Sequence, residues 1–540
     1  MSKSGASTLV LAGPNTHTGD TSISGGTLQL GDANAVANST VSLGVTNGLT
    51  FGTGIGTFVL GGLSGAIPLA LTDTGAAAVT LEVGNNGQDT TYYAALNGVS
   101  GALTKVGSGM LTLAAANGYT GATTVNGGTL VLGVDGGTTY TYAGGAIAIN
   151  NGATLRVKGM LCWFGGKTVT FDSNGGGTMD AVVQGTGGLA FSANNTFVTS
   201  GGTQNSITGT QGGIAGVGGN SNLGFNLGGQ TATFDVAPGT SGSSDLTVSA
   251  TLWNAGSVIK NGDGILTLSG VNNSYTGPTT VNAGTLAVTG ALGATAVTVN
   301  SPATLAGNGN IGGNVTIASG AHHALAVAAT AGAQVTRAIT GTLTMTDSIL
   351  DLTAASTPAA GEYVLATASV AITGTPTTIN YNGISGGTVS VDATSSPQRL
   401  LLTVGGSSYG IWAATNAPTG GVSDDSDGDG VSNGVEYVLG GDKDHNDLGK
   451  LPKTSTDGGD MLFTFERSQV TIDGSTTVVI ETSPDLSDWT GSYPVPDAAA
   501  TNNPGVSVVK GTPTGFDTVT LRLPRAPDAR KFARLKVTVP

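Results

Sequence analysis

The stretch KVGSGMLTLAAANGYTGATTVNGGTLVLG, running from Lys105 to Gly133, decides the fold. Its Met110-Leu-Thr-Leu113, Thr123-Thr-Val125 and Thr129-Leu-Val-Leu132 segments alternate apolar with small polar residues, and Gly or Asn-Gly separates them. Period-two alternation between such breakers predicts three short strands joined by turns. Two further copies stand elsewhere: KSGASTLVLAGPNTHTGDTSISGGTLQLG from Lys3 to Gly31, and KNGDGILTLSGVNNSYTGPTTVNAGTLAVTG from Lys260 to Gly290. Lys3, Lys105 and Lys260 correspond, as do Leu9/Leu11, Leu111/Leu113 and Leu266/Leu268. His17, Tyr119 and Tyr275 share the place before Thr-Gly.

A chain that turns this often cannot bury its leucines within one coil. The coils must stack, which predicts an all-β, parallel β-solenoid (β-helix) with a Leu/Val/Ile interior. Segments such as Leu49-Thr-Phe, Val79-Thr-Leu-Glu-Val, Thr168-Val-Thr-Phe and Val315-Thr-Ile keep the habit without the motif. The expected layout is a solenoid over residues 1–345, β segments at 346–410 that finish and cap it, a linker at 411–450 and a terminal domain at 451–540.

The Leu-Thr-Lys-x-Gly-x-Gly-x-Leu-x-Leu…Tyr-Thr-Gly-x-Thr-Thr-Val-x-x-Gly-Thr-Leu pattern of Leu103–Gly133, followed closely by Val258–Gly290, resembles the autotransporter-associated β-strand repeat of bacterial surface and secreted proteins. The resemblance implies a right-handed β-helix passenger, secreted or on the bacterial surface. The chain departs from an autotransporter in lacking recurrent alternating strands of ~10 residues with aromatic girdles, so a C-terminal membrane barrel is not expected on it.

Composition agrees. Gly accounts for 91 of 540 residues and charged residues for only 10%, which excludes long helices and coiled coils. A hydrophobic content of 39% excludes a solvated disordered chain. Residues 1–422 carry 8 Lys or Arg against 15 Asp or Glu, whereas Asp424–Asp447 alone carries eight acids and one base. Acidity is therefore a feature of one loop. So sparse a supply of cations argues against nucleic acid as a partner. The lone cysteine, Cys162, excludes an intramolecular disulfide and reads as a buried, inert thiol. No apolar run is long enough for a transmembrane helix, and Met1-Ser2-Lys3 opens without a signal-peptide core.

Asp425-Ser-Asp427-Gly-Asp429-Gly430-Val431-Ser-Asn433-Gly-Val-Glu436 fits the loop D-x-[DN]-x-[DN]-G-x5-E. In such an EF-hand-like loop the carboxylates of Asp425, Asp427 and Asp429 converge on calcium, Val431 gives its carbonyl, Asn433 reaches the ion through water, and Glu436 closes the shell as a short helix begins. Position eight, commonly apolar, is Ser432, so pairing with a second loop is not expected. The loop resembles the single loops of dockerin-like and thrombospondin-type linkers, which implies a structural calcium staple. The alternative reading is a flexible acidic linker.

Beyond Leu451, Met461-Leu-Phe-Thr-Phe, Thr477-Val-Val-Ile, Val506-Ser-Val-Val, Thr518-Val-Thr-Leu-Arg-Leu and Phe532–Val539 alternate at period two, predicting a small antiparallel β-sandwich. Arg534 and Lys536 fall on its outer face. Trp489 is expected to pack on the core, with a sugar-stacking platform as the alternative. The acidic loop, its helix and this module together resemble the C-terminal region of secreted proteins from environmental bacteria.

Polysaccharide lyases and hydrolases on β-helices need converging carboxylates, or a calcium with a cationic base. Here Asp73, Asp89, Asp135 and Asp235 are scattered, and Arg156, Lys158, Lys167, Asp172 and Asp180 read as a solvated face. His322-His323 reads as a turn whose two side chains diverge, and Gly307-Asn-Gly-Asn-Ile-Gly has no following helix to make a phosphate loop. The expectation is a non-enzymatic extracellular structural or adhesive protein. The runner-up is a glycan-binding or polysaccharide-cleaving β-helix. Because only Met1-Ser2 precede Lys3, the first coil is expected to lack its lead strand and to expose Leu9 and Leu11; a mature terminus there implies head-to-tail association into filaments, and a cut within a longer protein implies upstream residues that cap the same surface. Cell-surface or matrix glycans are the other candidate partners.

Overall fold

A computed structural model describes residues 1–134, 140–142, 144–159, 162–171, 175–183, 189–202, 204–211, 224–240, 244–384, 387–404, 409–410, 412–413, 420–441, 447–472, 476–501, 505–511, 515–524 and 530–539. Asp135 and Asp172 lie outside them. The Cys162 side chain is likewise outside this description, although its backbone belongs to the strand Cys162–Phe164.

The chain folds as a β-solenoid with three columns of parallel strands. One column runs Ala102–Lys105, Thr123–Val125, Ile147–Ile149, Thr168–Phe171, each paired in register with the next. A second runs Met110–Leu113, Thr129–Leu132, Thr154–Gly159, Thr178–Val183. A third, of shorter strands, includes Cys162–Phe164, Leu189–Phe191, Gly224–Asn226 and Thr251–Trp253. One coil takes roughly twenty residues, the scale of a solenoid repeat.

Stacking coils align like residues. Leu111 pairs with Leu130 and Leu130 with Leu155; later in the same column Leu246, Leu266, Leu286 and Leu305 follow one another. Side chains alternate along a strand, so these leucines point inward, and all are buried in one continuous apolar core. The Gly-Gly-Thr-Leu or Ala-Gly-Thr-Leu turn that precedes each inward leucine uses its second glycine, Gly26, Gly128 or Gly284, at φ 58–60°, and a Cβ there would meet a carbonyl of the neighbouring coil. Only glycine fits that left-handed, close approach.

Parallel pairing continues past residue 345, through Ile349–Ala354 to Thr378–Asn382 and through Thr342–Thr344 to Ala371–Thr373. The third column instead ends in antiparallel pairing, with Gln398–Val404 between Gly361–Ala368 and Thr388–Asp392. His322-His323 is not a turn: both lie in the strand His322–Val327. Their side chains do diverge. His322 Nδ1 lies 2.6 Å from Asp351 Oδ2 on the outside, while His323 takes an inward place between Leu305 and Leu350 and is fully buried. Burial holds its imidazole well below the usual range, and the nearby Arg337 guanidinium adds to the effect.

The terminal module has two antiparallel sheets. Lys453–Asp457, Asp460–Ser468, Phe516–Pro524 and Val506–Val509 form one; Gly491–Pro494, Thr477–Ser483 and Phe532–Thr538 form the other. Phe463, Phe465, Ile480, Val508, Val519 and Leu521 share its core, separate from the solenoid core. Trp489 departs from expectation: it is only half-buried and stands outside that core, because the Arg534 guanidinium covers its ring at 4.1 Å.

Candidate functional site

The polar residues that recur in the three copies form inter-coil staples. Lys105 is fully buried, and its ammonium donates to the carbonyls of Val106 (2.6 Å), Gly107 (3.0 Å) and Gly127 (3.1 Å). Lys260 repeats this with Asn261 (2.8 Å), Gly262 (2.6 Å) and Ala283 (3.2 Å), and Lys3 donates to Gly5 and Gly25. A buried charge is tolerable only when satisfied in this way. Burial still pulls the Lys105 and Lys260 ammonium groups down to about 8.

Asparagine supplies the second staple. Asn117 Oδ1 accepts the Leu96 N–H at 3.0 Å, and Asn273 Oδ1 accepts that of Leu252 at 2.8 Å, both from the preceding coil. Asn273 Nδ2 also reaches forward to the carbonyl of Ala291, as Asn15 Nδ2 does to that of Ala35, each at 3.0 Å. The third is a hydroxyl relay. Tyr119 OH bonds Thr123 Oγ1 (2.7 Å), which bonds Tyr142 OH (2.6 Å); Tyr275 bonds Thr279 (2.6 Å), which bonds Thr295 (3.0 Å). His17 stands in for tyrosine, with Nε2 3.0 Å from Thr21 Oγ1. Sequence comparison aligned the lysines and aromatic residues but missed the asparagines, whose signal was their fixed place two residues before the aromatic.

The solenoid acids serve the same end. Buried Asp73 accepts N–H groups from Gly54, Gly75 and Ala77, and buried Asp245 accepts those of Gly239 and Ile265. Arg156 and Asp180 are cross-strand neighbours 2.9 Å apart, and Lys167 donates to the Gly144 carbonyl.

In the acidic loop, Asp425, Asp427 and Asp429 bring one carboxylate oxygen each within 4.8 Å of one another. Loop N–H groups hold them. Asp425 accepts from Gly428 and Gly430, both at 2.8 Å, and Asp429 Oδ1 accepts from Val431 at 2.8 Å. The N–H of Gly430 above all holds the Asp425 carboxyl below its ordinary range. The following helix, Asn433–Leu439, buries Glu436 completely, and among the described residues neither of its carboxylate oxygens has a hydrogen-bond partner. Burial, with the charges of Asp427, Asp429, Asp447 and Asp425, pushes its carboxyl up to about 7. Glu436 is not gathered within that 4.8 Å group, but three converging carboxylates with a buried, unpartnered carboxylate nearby suit a hard cation with oxygen ligands.

Asn433, which the sequence places at a water-mediated contact, also braces the loop directly. Its Oδ1 accepts the Ser426 hydroxyl and its Nδ2 donates to the Gly421 carbonyl, both at 2.8 Å, so the amide ties the loop to its own entry. Asp447 was not anticipated. It is buried, and its N–H donates to Asp429 Oδ2 at 2.7 Å. The same helix sends Tyr437, Val438 and Leu439 into the core of the terminal module.

Three columns of parallel strands, locked by staples repeated at the motif positions, define a passenger-like β-solenoid repeat protein, secreted or carried on the cell surface. The passenger-associated-transport-repeat family matches residues 1–30, 103–132 and 258–288, the three stapled copies. Over 76 residues the chain is 53% identical to the adhesin BmaC autotransporter of Brucella suis biovar 1 (strain 1330). The match covers 14% of this chain and 2% of that relative. No solved structure matches the chain. Among the described residues no helix is long and apolar enough to cross a membrane.

Proposed function

We propose that the protein is a non-enzymatic, extracellular adhesive scaffold. The observation that carries this reading is the use of the motif's polar groups: lysine, asparagine, tyrosine and threonine all bond neighbouring coils and so hold the stack rather than face a substrate. The solenoid acids that cap backbone N–H groups argue the same way against the polysaccharide-cleaving alternative. The adhesin relative, similar over a stretch of 76 residues, supports adhesion as the task. Beads coated with the chain test it: retention on bacterial or host surfaces above the level of uncoated beads is expected, and no retention overturns the reading.

Two finer features belong to the proposal. Asp425, Asp427, Asp429, Glu436 and the Val431 carbonyl would hold calcium, which would neutralise the gathered carboxylates and fix the helix that enters the terminal core. The side of the first coil on which Leu9 and Val10 are 40% and 50% exposed, Leu11 by contrast packing half-buried on the core, would take a β element of a second copy and so build head-to-tail assemblies.

A further inference from the structure

A cleft of about 950 Å3 opens between Lys453–Asp457, an edge strand of the four-stranded sheet, and Phe532–Thr538, an edge strand of the three-stranded sheet. That volume falls at the upper end of the ~300–1,000 Å3 usual for small-ligand sites. Its lining includes Thr454, Thr456 and Met461, and among the described residues its charged members, Arg530 and Lys531, are both cations. Positive lining is unusual in a chain of net charge -14. Lys531 also donates to the Pro524 carbonyl, which anchors it at the rim.

Trp489, which lines the cleft, is held rigidly. Arg534 braces its ring, and Glu481 fixes that guanidinium through hydrogen bonds of 3.0 and 2.7 Å. The turn that leads into it is fixed internally: Ser483 Oγ accepts the N–H groups of Asp485 and Leu486, and Asp485 Oδ1 accepts those of Ser487 and Asp488. Leu486 is kept in a left-handed conformation (φ 70°) and 57% exposed beside the indole. Holding two apolar side chains outside a nearby core serves no packing purpose, whereas a preorganised aromatic platform favours binding by reducing what must be ordered.

A sugar ring offers an apolar C–H face to an indole and hydroxyls to a polar wall, and a uronic acid adds a carboxylate that a guanidinium recognises. We propose that this cleft binds a short stretch of acidic polysaccharide, a ring resting on Trp489 and its carboxylates paired with Arg530 and Lys531. This deepens the adhesive reading by naming a ligand class. Its failure is distinguishable from failure of that reading, because the bead assay scores the whole chain and the following experiment scores one cleft.

Calorimetric titration of the full chain with a trimeric uronate, the neutral trimer of the same ring size, and an extended uncharged peptide tests it. The uronate is expected to bind roughly tenfold or more tighter than the neutral trimer, and to weaken as salt rises. Trp489→Ala should lower affinity for both sugars about tenfold, whereas Arg530→Gln with Lys531→Gln should lower it for the uronate alone. Trp489→Phe, which keeps a stacking face, should restore most of the binding and shows that the loop still folds. Absence of uronate binding at millimolar concentration, equal affinity in wild type and Trp489→Ala, or preference for the peptide would each overturn the proposal.

Discussion

Lys105 Nζ donates to the carbonyl of Gly127, 22 residues further along and one coil up, at 3.1 Å. Lys260 makes the equivalent bond to Ala283, 23 residues on, at 3.2 Å. A cation closing a turn of its own coil and gripping the next converts a surface-type residue into an internal clamp. The stability of a solenoid is approximately a sum of coil and interface contributions, so such clamps act at each junction where the motif occurs.

The clamps should give the protein an alkaline gain in stability. Their folded pKa, about 8, lies below the unfolded value of 10.5. Below pH 8 both states keep the proton and the burial penalty is fully present. Between pH 8 and 10.5 the unfolded chain holds a proton that the folded chain has released, so stability rises with pH, by about 2 kcal/mol per lysine at pH 9.5. Urea unfolding midpoints at pH 7, 8, 9 and 9.5 check this. Lys105→Met should flatten the rise; an unchanged slope would show that Lys105 does not release its proton there.

The inward leucine column should not accept a charge. Leu111→Asp places a carboxylate between Thr90 and Leu130 in the stack, and an unpaired buried charge costs several kcal/mol. Limited proteolysis should then cut near residues 103–132 while the terminal module stays intact. Unaltered resistance in the flanking coils would contradict the register.

Calcium should stabilise the terminal module more than the solenoid, because Tyr437, Val438 and Leu439 enter the module's core directly after the Glu436 turn. At a dissociation constant of about 10⁻⁴–10⁻³ M, the range of extracellular loops, millimolar calcium adds a gain on the order of 1 kcal/mol. Differential scanning calorimetry with calcium and with chelator would resolve it. Asp427→Ala should abolish the difference, and identical titrations of variant and wild type would remove the site.

Acid should loosen the terminal module through Asp517. Burial pushes its carboxyl up, but hydrogen bonds from Lys510, Gln469 and Arg467 outweigh that and hold it at about 2. A depressed carboxyl contributes stability that is complete above its unfolded value of 3.8 and fades as pH falls toward 2, here about 2 kcal/mol. Asp517→Asn should lower neutral-pH stability by at least that much, since it leaves the buried Arg467 without its 3.1 Å partner. Near-UV circular dichroism from pH 5 to 2 follows the loss, and a variant with wild-type acid sensitivity would exclude Asp517 as its source.

Self-association should grow with concentration and depend on the first coil. Leu9→Lys with Val10→Lys places charges on its exposed edge and should hold the protein monomeric in light scattering. A wild type that is monomeric at every concentration would end the head-to-tail reading.

The sequence by itself determined the β-solenoid class and the inward leucines, because alternation and turn glycines act over a few residues. The gathering of Asp425, Asp427 and Asp429 was legible for the same reason: they converge through a local turn. Tertiary structure decided the rest. The burial of Lys105, the entry of His323 into a leucine column and the satisfaction of Asn117 depend on partners about twenty residues away, on another coil, and main-chain carbonyls there leave no trace in side-chain identity. Trp489 turned from the core to a cleft for the same cause: its position offered two partners, and only the assembled chain showed which lay within stacking distance.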